Sequence, residues 1–313
     1  MSPEEWVEIL RREYLADYVR EGGSSVKFVV AAQPSIRKSV QDGIVRTARA
    51  EAFEVVTLDA ITTKLHLMQK FFYAVAKRTE WEDLAHAFMK RSLEQLGCSI
   101  ATTGHFDLDE LAGRGASGRD SLLEKLAAIL KKDVYDDHAM THEFRVGMMQ
   151  LCLAQIKYGD RMGSYYAAVV KDWLCGELHL VSALKEALIF EKIQKHNARH
   201  MLFSLAHWLR KNSASGLVIV LDIDRYLTTA KMRERDSGFY YSYGMVLDLY
   251  ELLRQFIDDL AELEGVMVVV IAPEAFLKDE RRSIERYQAL KMRIWDDVRV
   301  RQLQNPFSPL VRF

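Results

Sequence analysis

The sequence predicts an α/β protein: a parallel sheet flanked by helices, divided by a large all-helical insertion. Three observations carry this expectation. Short, β-branched, almost continuously apolar segments occur in two pairs, Ser25–Ala32 with Phe53–Ala60 and Gly216–Asp224 with Gly265–Pro273. Runs of this kind suit strands buried on both faces, as parallel strands are. Helical periodicity lies between the members of each pair, and residues 65–212, between the pairs, hold helical patterns and no strand pattern. The expected organisation is therefore 1–64 as the first half of the core, 65–212 as a helical subdomain, and 213–313 as the second half with its tail.

Each element has its own local reason. Glu4–Glu21 is predicted helical because Trp6, Ile9, Leu10, Tyr14, Leu15 and Tyr18 recur on one face, and Gly22 and Gly23 stop it. The first strand, SVKFVVAA, runs into the loop QPSIRKS and a helix over about 36–51. The second strand, FEVVTLDA, completes a βαβ unit whose crossover should be right-handed. Helical pattern covers Leu65–Leu96, with a break near Thr79. Gly97–Arg119 holds five of the sixteen glycines and is expected to be an exposed loop. Helices are then expected at about 120–132, 141–157, 163–174, 180–191 and 194–211, before the turn NSASG. GLVIVLDID is the third strand, 243–262 the next helix, and GVMVVVIAP the fourth strand. The tail is partly helical, then extended in NPFSPLVRF.

Bulk properties narrow the function classes. Apolar residues make up 49% and charged residues 28%, ordinary for a globular chain. The net charge of −1 gives no general support for coating nucleic acid, although a local basic face is compatible with it. Cys98, Cys152 and Cys175 are odd in number and far apart, without metal-ligand spacing. They suit free thiols in a reducing, cytoplasmic setting. Met1–Leu15 lacks the apolar core of a signal peptide, and no apolar run is long enough to span a bilayer.

Two strand ends could carry chemistry. A phosphate-binding loop is a strand, a glycine-rich turn and a helix. Backbone N–H groups wrap the phosphates, a lysine reaches them, and Ser or Thr holds magnesium. The first strand and helix have that placement and predict a P-loop NTPase-like core. The loop itself reads Ala31-Ala32-Gln33-Pro34-Ser35-Ile36-Arg37-Lys38-Ser39 and contains no glycine. Pro34 removes a donor, and Ile36 is β-branched where backbone must approach phosphate. Ser35, Arg37, Lys38 and Ser39 remain candidates to meet a phosphate, with Arg37 or Lys38 drawing an anion to the helix start. The alternative is a strand-turn-helix without a ligand.

VIVLDID places Asp222 where a Walker B aspartate orients magnesium. Asp224 is the second catalytic candidate. It stands one residue late for the water-activating acid, and a one-residue shift turns a strand side chain to the other face. Capping of the strand end is the alternative for both. Ala272 and Pro273 occupy the end of the fourth strand, where a polar γ-phosphate sensor would stand.

Other clusters carry less. His196 and His200, at i and i+4, and His207 have no acidic or cysteine partner at metal spacing. Arg233 and Arg235 with Tyr240, Tyr241 and Tyr243 suit a partner surface, a base stack or plain packing. Arg281, Arg282, Arg286, Lys291 and Arg293 are balanced by Glu280, Glu285, Asp296 and Asp297, as on a solvated helix face.

The segments EGGSSVKFVV, FEVVTLDAITTKLH, GLVIVLDID and VVVIAPEAFLKDERRSIERYQALKMRI, in this order, resemble the ATP-binding proteins of BREX-type antiphage systems. The resemblance implies a P-loop ATPase fold of the AAA+/STAND kind. In that family the lead-in runs into Gly-x-x-Gly-Ser-Gly-Lys-Thr, the later strand ends in LDE, and the last in TGTP or AGTP. A further lid or winged-helix region is expected after NPFSPLVRF. Here Ala31, Pro34 and Ile36 stand at the glycine positions, Arg37 at the lysine and Lys38 at the threonine; Ser35 and Asp222 match. The resemblance thus implies a degenerate ATPase homologue acting as a structural or regulatory subunit of a defence complex, with protein partners or a second copy of itself. It would hold no cofactor, or ATP and magnesium weakly. A weak ATPase and a nucleic-acid-binding adaptor are the alternatives.

Overall fold

The computed structural model describes residues 1–100, 104–113, 118–157, 162–212, 214–228, 239–295 and 305–313. The chain divides into two units, Met1–Val75 with Ala214–Phe313, and Ala76–Ser213.

The first unit begins with α1 (Pro3–Leu10), closed by a reciprocal cap. Glu5 N–H donates to the Ser2 hydroxyl, and Ser2 N–H to the Glu5 carboxylate. The chain then widens into π-helical turns over Arg11–Tyr18, where Val19 N–H reaches back to Tyr14 O at 2.7 Å. The helix expected over 4–21 therefore has two geometries. β1 (Ser25–Val30), α2 (Pro34–Ala50), β2 (Glu54–Asp59) and α3 (Met68–Ala76) follow.

The second unit holds α4 (Trp81–Gln95), α5 (Leu108–Gly113), α6 (Arg119–Leu130), α7 (His142–Leu153), α8 (Met162–Cys175), α9 (Val181–Glu186) and α10 (Ala198–Lys211). The first unit resumes with β3 (Leu217–Asp222), α11 (Asp224–Leu227), α12 (Tyr243–Asp258), β4 (Val266–Ala272), α13 (Ala275–Lys278), α14 (Gln288–Ile294) and β5 (Leu310–Arg312).

The five strands are all parallel, in the order β2-β3-β4-β1-β5. Every residue of β1 and β4 is buried, which is why their sequences run apolar without alternation. Alternate side chains serve two helical layers. On one face Val29, Val218, Val220, Met267, Val269, Ile271 and Val311 join Trp6, Leu10, Leu15, Val40 and Ile44 in one core. On the other, Phe28 stacks on Phe276 of α13 at 5.9 Å, and Phe276 meets Tyr250 of α12 at 5.7 Å.

The lead-in to β1 is stitched to β4. The Ser24 hydroxyl donates to Leu263 O at 2.6 Å and accepts from Val266 N–H at 3.2 Å, and Gly265 N–H donates to Gly22 O. One glycine is required by shape. Gly216, before β3, has φ +154°, and a Cβ there would lie 2.2 Å from Gly265 O.

The second unit has its own core. Trp208 of α10 packs on Phe88 of α4 at 5.2 Å, and Trp81 on Phe144 of α7 at 6.1 Å. Lys211 and His207 both donate to Asp137 Oδ2. Three expectations change here. The loop predicted over 97–119 contains α5. The helix predicted over 180–191 stops at Glu186, because Leu188 turns to φ +62° and Ile189 N–H closes onto Leu184 O. The helix predicted from 194 starts at Ala198, because Gln194 N–H donates to the Asn197 side chain and forms a turn. The three cysteines are free thiols, and Cys152 is buried. No helix among the described residues is long and apolar enough to cross a membrane.

Candidate functional site

The sheet topology marks one crevice. α2, leaving β1, lies on the Val29 face, whereas α13, leaving β4, lies on the Phe28 face. β1 and β4 are neighbours whose chains depart to opposite sides, which is where open α/β sheets hold ligands at the carboxyl ends of strands. The sequence candidates converge on this edge. Val30 stands beside Ala272, Asp222 beside Ile271, and Asp59 beside Asp222.

The β1–α2 connection is short. β1 ends at Val30, and α2 begins at Pro34, with Gln33 as the flanking residue and no side-chain cap. The Gln33 carbonyl accepts from both Ile36 N–H and Arg37 N–H. The first helical turn thus uses residues that, in a phosphate loop, would remain open backbone around the anion.

Arg37 is the central group. It is 9% exposed. Its guanidinium donates to Ala31 O at 2.9 Å and Ala32 O at 3.2 Å, and reaches Asp224 Oδ1 at 3.4 Å. The loop therefore turns carbonyl oxygens toward a cation of its own chain. A phosphate cradle has the opposite polarity, N–H groups converging on an anion. Ser35, Lys38 and Ser39 are exposed on the first turns of α2. Lys38 pairs with Asp42 one turn on, at 2.9 Å between solvated side chains.

Asp222 ends β3 half-buried, and its Oδ1 accepts from Asp224 N–H at 2.9 Å. Burial raises its pKa, and the charges of Asp224 and Asp59 add to the rise; the Asp224 N–H bond and the Arg37 charge oppose it. The loop position that would supply a hydroxyl is Lys38. No group of three or more His, Cys, Asp or Glu suited to a metal occurs among the described residues. At the end of β4, the Ala272 carbonyl accepts from Ala31 N–H at 3.2 Å. Ala272 itself offers no side-chain donor.

Sequence reasoning left out Asp59. It ends β2 as Asp222 ends β3, and its Oδ1 accepts from Ile61 N–H, Thr62 N–H and the Thr62 hydroxyl. The strand-end acid in FEVVTLDA was the available signal.

Of the three tyrosines in the aromatic segment, Tyr241 packs inside, whereas Tyr240 and Tyr243 are exposed. Tyr241 is buried, stacks on Tyr226 at 3.7 Å, and donates to Ala60 O at 2.6 Å and Thr63 O at 3.0 Å. The Tyr226 hydroxyl accepts from His66 N–H at 2.9 Å and sits 2.8 Å from its ring nitrogen. Arg233 and Arg235 lie outside the described residues, as do Asp296 and Asp297. Arg282 departs from the expected solvated face. It is buried, donates to Tyr226 O at 2.7 Å and to the Tyr240 hydroxyl at 3.1 Å, and its own carbonyl accepts from Tyr250. Its charge is used internally, because the turn before α14 brings it against Tyr226 and Tyr240.

Comparison with known proteins gives one family. The model described as "BREX system ATP-binding protein BrxC/D" matches residues 15–313. Neither the curated proteins nor the solved structures gave a match.

Proposed function

The chain belongs to the family of BREX system ATP-binding proteins, and from that membership we propose that it is a P-loop NTPase-like member that has given up nucleotide turnover. It serves as a structural or regulatory subunit of a BREX defence complex, held there by protein partners or by a second copy of itself. Arg37 carries this reading. Its guanidinium is committed to Ala31 O, Ala32 O and Asp224, so this loop answers a cation of its own chain, whereas a phosphate loop answers an anion. The missing backbone and lysine contacts are charge-assisted hydrogen bonds, each about 1.5–3 kcal/mol. Losing several together takes ATP affinity beyond millimolar concentrations. Turnover further needs a positioned water-polarising acid and a γ-phosphate contact. Asp224 is turned to Arg37, and Ala272 has no polar side chain.

Phosphate release from magnesium-ATP, measured beside Asp222→Asn, tests the loss of turnover. The expected outcome is background release from both proteins. Release by the wild-type chain that Asp222→Asn abolishes would show a working Walker B aspartate and sink the proposal.

A further inference from the structure

Three segments of the first unit meet in one buried aromatic cluster beyond the carboxyl ends of β2 and β3. His66 comes from the β2–α3 connection, Tyr226 from α11, and Tyr241 from the lead-in to α12. All three are buried. Tyr226 and Tyr241 stack with ring centres 3.7 Å apart and planes 16° from parallel. The imidazole centre is 5.9 Å from one ring centre and 5.8 Å from the other, at 81° and 85° to their planes. A ring equidistant from two stacked rings lies beside the stack, against their edges, rather than over a face. Aromatic edges carry the positive end of the quadrupole. They suit a neutral imidazole and oppose an imidazolium.

The hydrogen bonds have the same preference. The Tyr226 hydroxyl accepts from His66 N–H at 2.9 Å and lies 2.8 Å from Nδ1. With a backbone donor already on the phenol oxygen, the hydroxyl proton serves Nδ1, which is then the unprotonated ring nitrogen. Protonation turns Nδ1 into a second donor facing that oxygen and puts a charge where burial penalises it. Burial pulls the His66 pKa below its ordinary 6.5; the Asp248 charge on α12 opposes the fall and the Lys64 charge adds to it. Asp59 and Arg225 act on Tyr241 with opposite sign, and Arg282 donates to Tyr226 O.

The cluster also fastens chain. The Tyr241 hydroxyl reaches Ala60 O at 2.6 Å and Thr63 O at 3.0 Å. The rings that hold His66 therefore pin the residues that follow Asp59 at the end of β2.

We propose that His66, Tyr226 and Tyr241 form an acid-released latch: neutral His66 holds the β2–α3 connection against α11 and the lead-in to α12, and protonated His66 lets that connection part from them. The latch is independent of whether the β1–α2 loop holds a nucleotide. Its sign follows from linkage. A histidine freed by opening takes up a proton near pH 6.5, whereas the latched one does so only at lower pH. The latch is at full strength above about pH 6.5 and weakens as pH falls below it.

Amide hydrogen exchange of the full chain at about pH 7.5 and about pH 5.5, corrected for the intrinsic pH dependence of exchange, tests this. The reporters are the amides of residues 60–67, with β1 and β4 as the reference. The measurement is repeated on His66→Asn, which keeps an acceptor near the Nδ1 position and does not titrate, and on Tyr226→Phe. In the wild-type chain, residues 60–67 should lose protection severalfold at the lower pH, with about tenfold the ceiling for one histidine one pH unit below its ordinary value. β1 and β4 should keep theirs. His66→Asn should hold its protection at both pH values, and Tyr226→Phe should be weakened at both. An NMR titration of the His66 ring in the wild-type chain, which needs no variant to fold, should give a midpoint below 6.5. Protection that does not change with pH overturns the proposal. So does an equal loss in His66→Asn, a loss shared by β1 and β4, or a His66 midpoint at or above 6.5.

Discussion

Lys27 lies in the middle of β1, buried, its ammonium donating to the Tyr14 hydroxyl at 2.7 Å and to Phe307 O at 2.8 Å. Burial pulls its pKa down from 10.5 to about 8. Between those values the unfolded chain binds more protons than the folded one, so stability rises with pH across that window. The burial cost is present in full below about pH 8 and is relieved as pH approaches 10.5. Lys27→Met removes this titration. Urea unfolding of both proteins at about pH 7 and about pH 10 should show the balance shifting toward wild type at the higher pH. A difference that does not change with pH would contradict this account. Gly216 gives a simpler prediction. Gly216→Ala must push its Cβ into Gly265 O while holding φ near +154°, and should cost at least about 2 kcal/mol in urea unfolding. An unchanged midpoint would mean that the β3 and β4 lead-ins separate freely. Neither residue signals this in sequence. A lysine inside an apolar run is visible, but its partners at Tyr14 and Phe307 come from the two ends of the chain.

Among the elements, the β1–α2 connection decides the chemistry. Arg37→Met leaves the Ala31 and Ala32 carbonyls without their charged donor and should cost about 1–3 kcal/mol in chemical denaturation. Asp224→Asn should cost less than about 1 kcal/mol, because that contact is 3.4 Å long and the Asp224 side chain is 49% exposed. Equal costs would place the bond energy in the ion pair rather than in the loop carbonyls. The strands were legible because β1, β3 and β4 are buried on both faces and must be apolar throughout. β5 was legible only as an extended tail, since three residues between prolines and the chain end show no period. That residues 31–39 contain no glycine could be read directly. The fold-back of Arg37 could not, because it depends on where α2 starts, two residues before Ile36. Arg282 was misjudged for a related reason: charge counting along a helix face does not show that a turn tucks one arginine under Tyr226.

Across the whole molecule, near-zero net charge conceals an uneven distribution, with the cations of Lys192–Lys211 in the helical unit and acids at three points on the sheet's carboxyl edge, Asp59, Asp222 and Asp224. The parallel sheet and the family were within reach of sequence, because the order and spacing of the apolar strands carry both. Loss of nucleotide binding is the central claim, and calorimetry of magnesium-ATP against the purified chain, beside Arg37→Ala/Lys38→Ala, tests it most directly. The account predicts no binding heat at millimolar ATP from either protein. Saturable heat from the wild-type chain that disappears in the variant would mean that the altered loop still holds phosphate, and would contradict it.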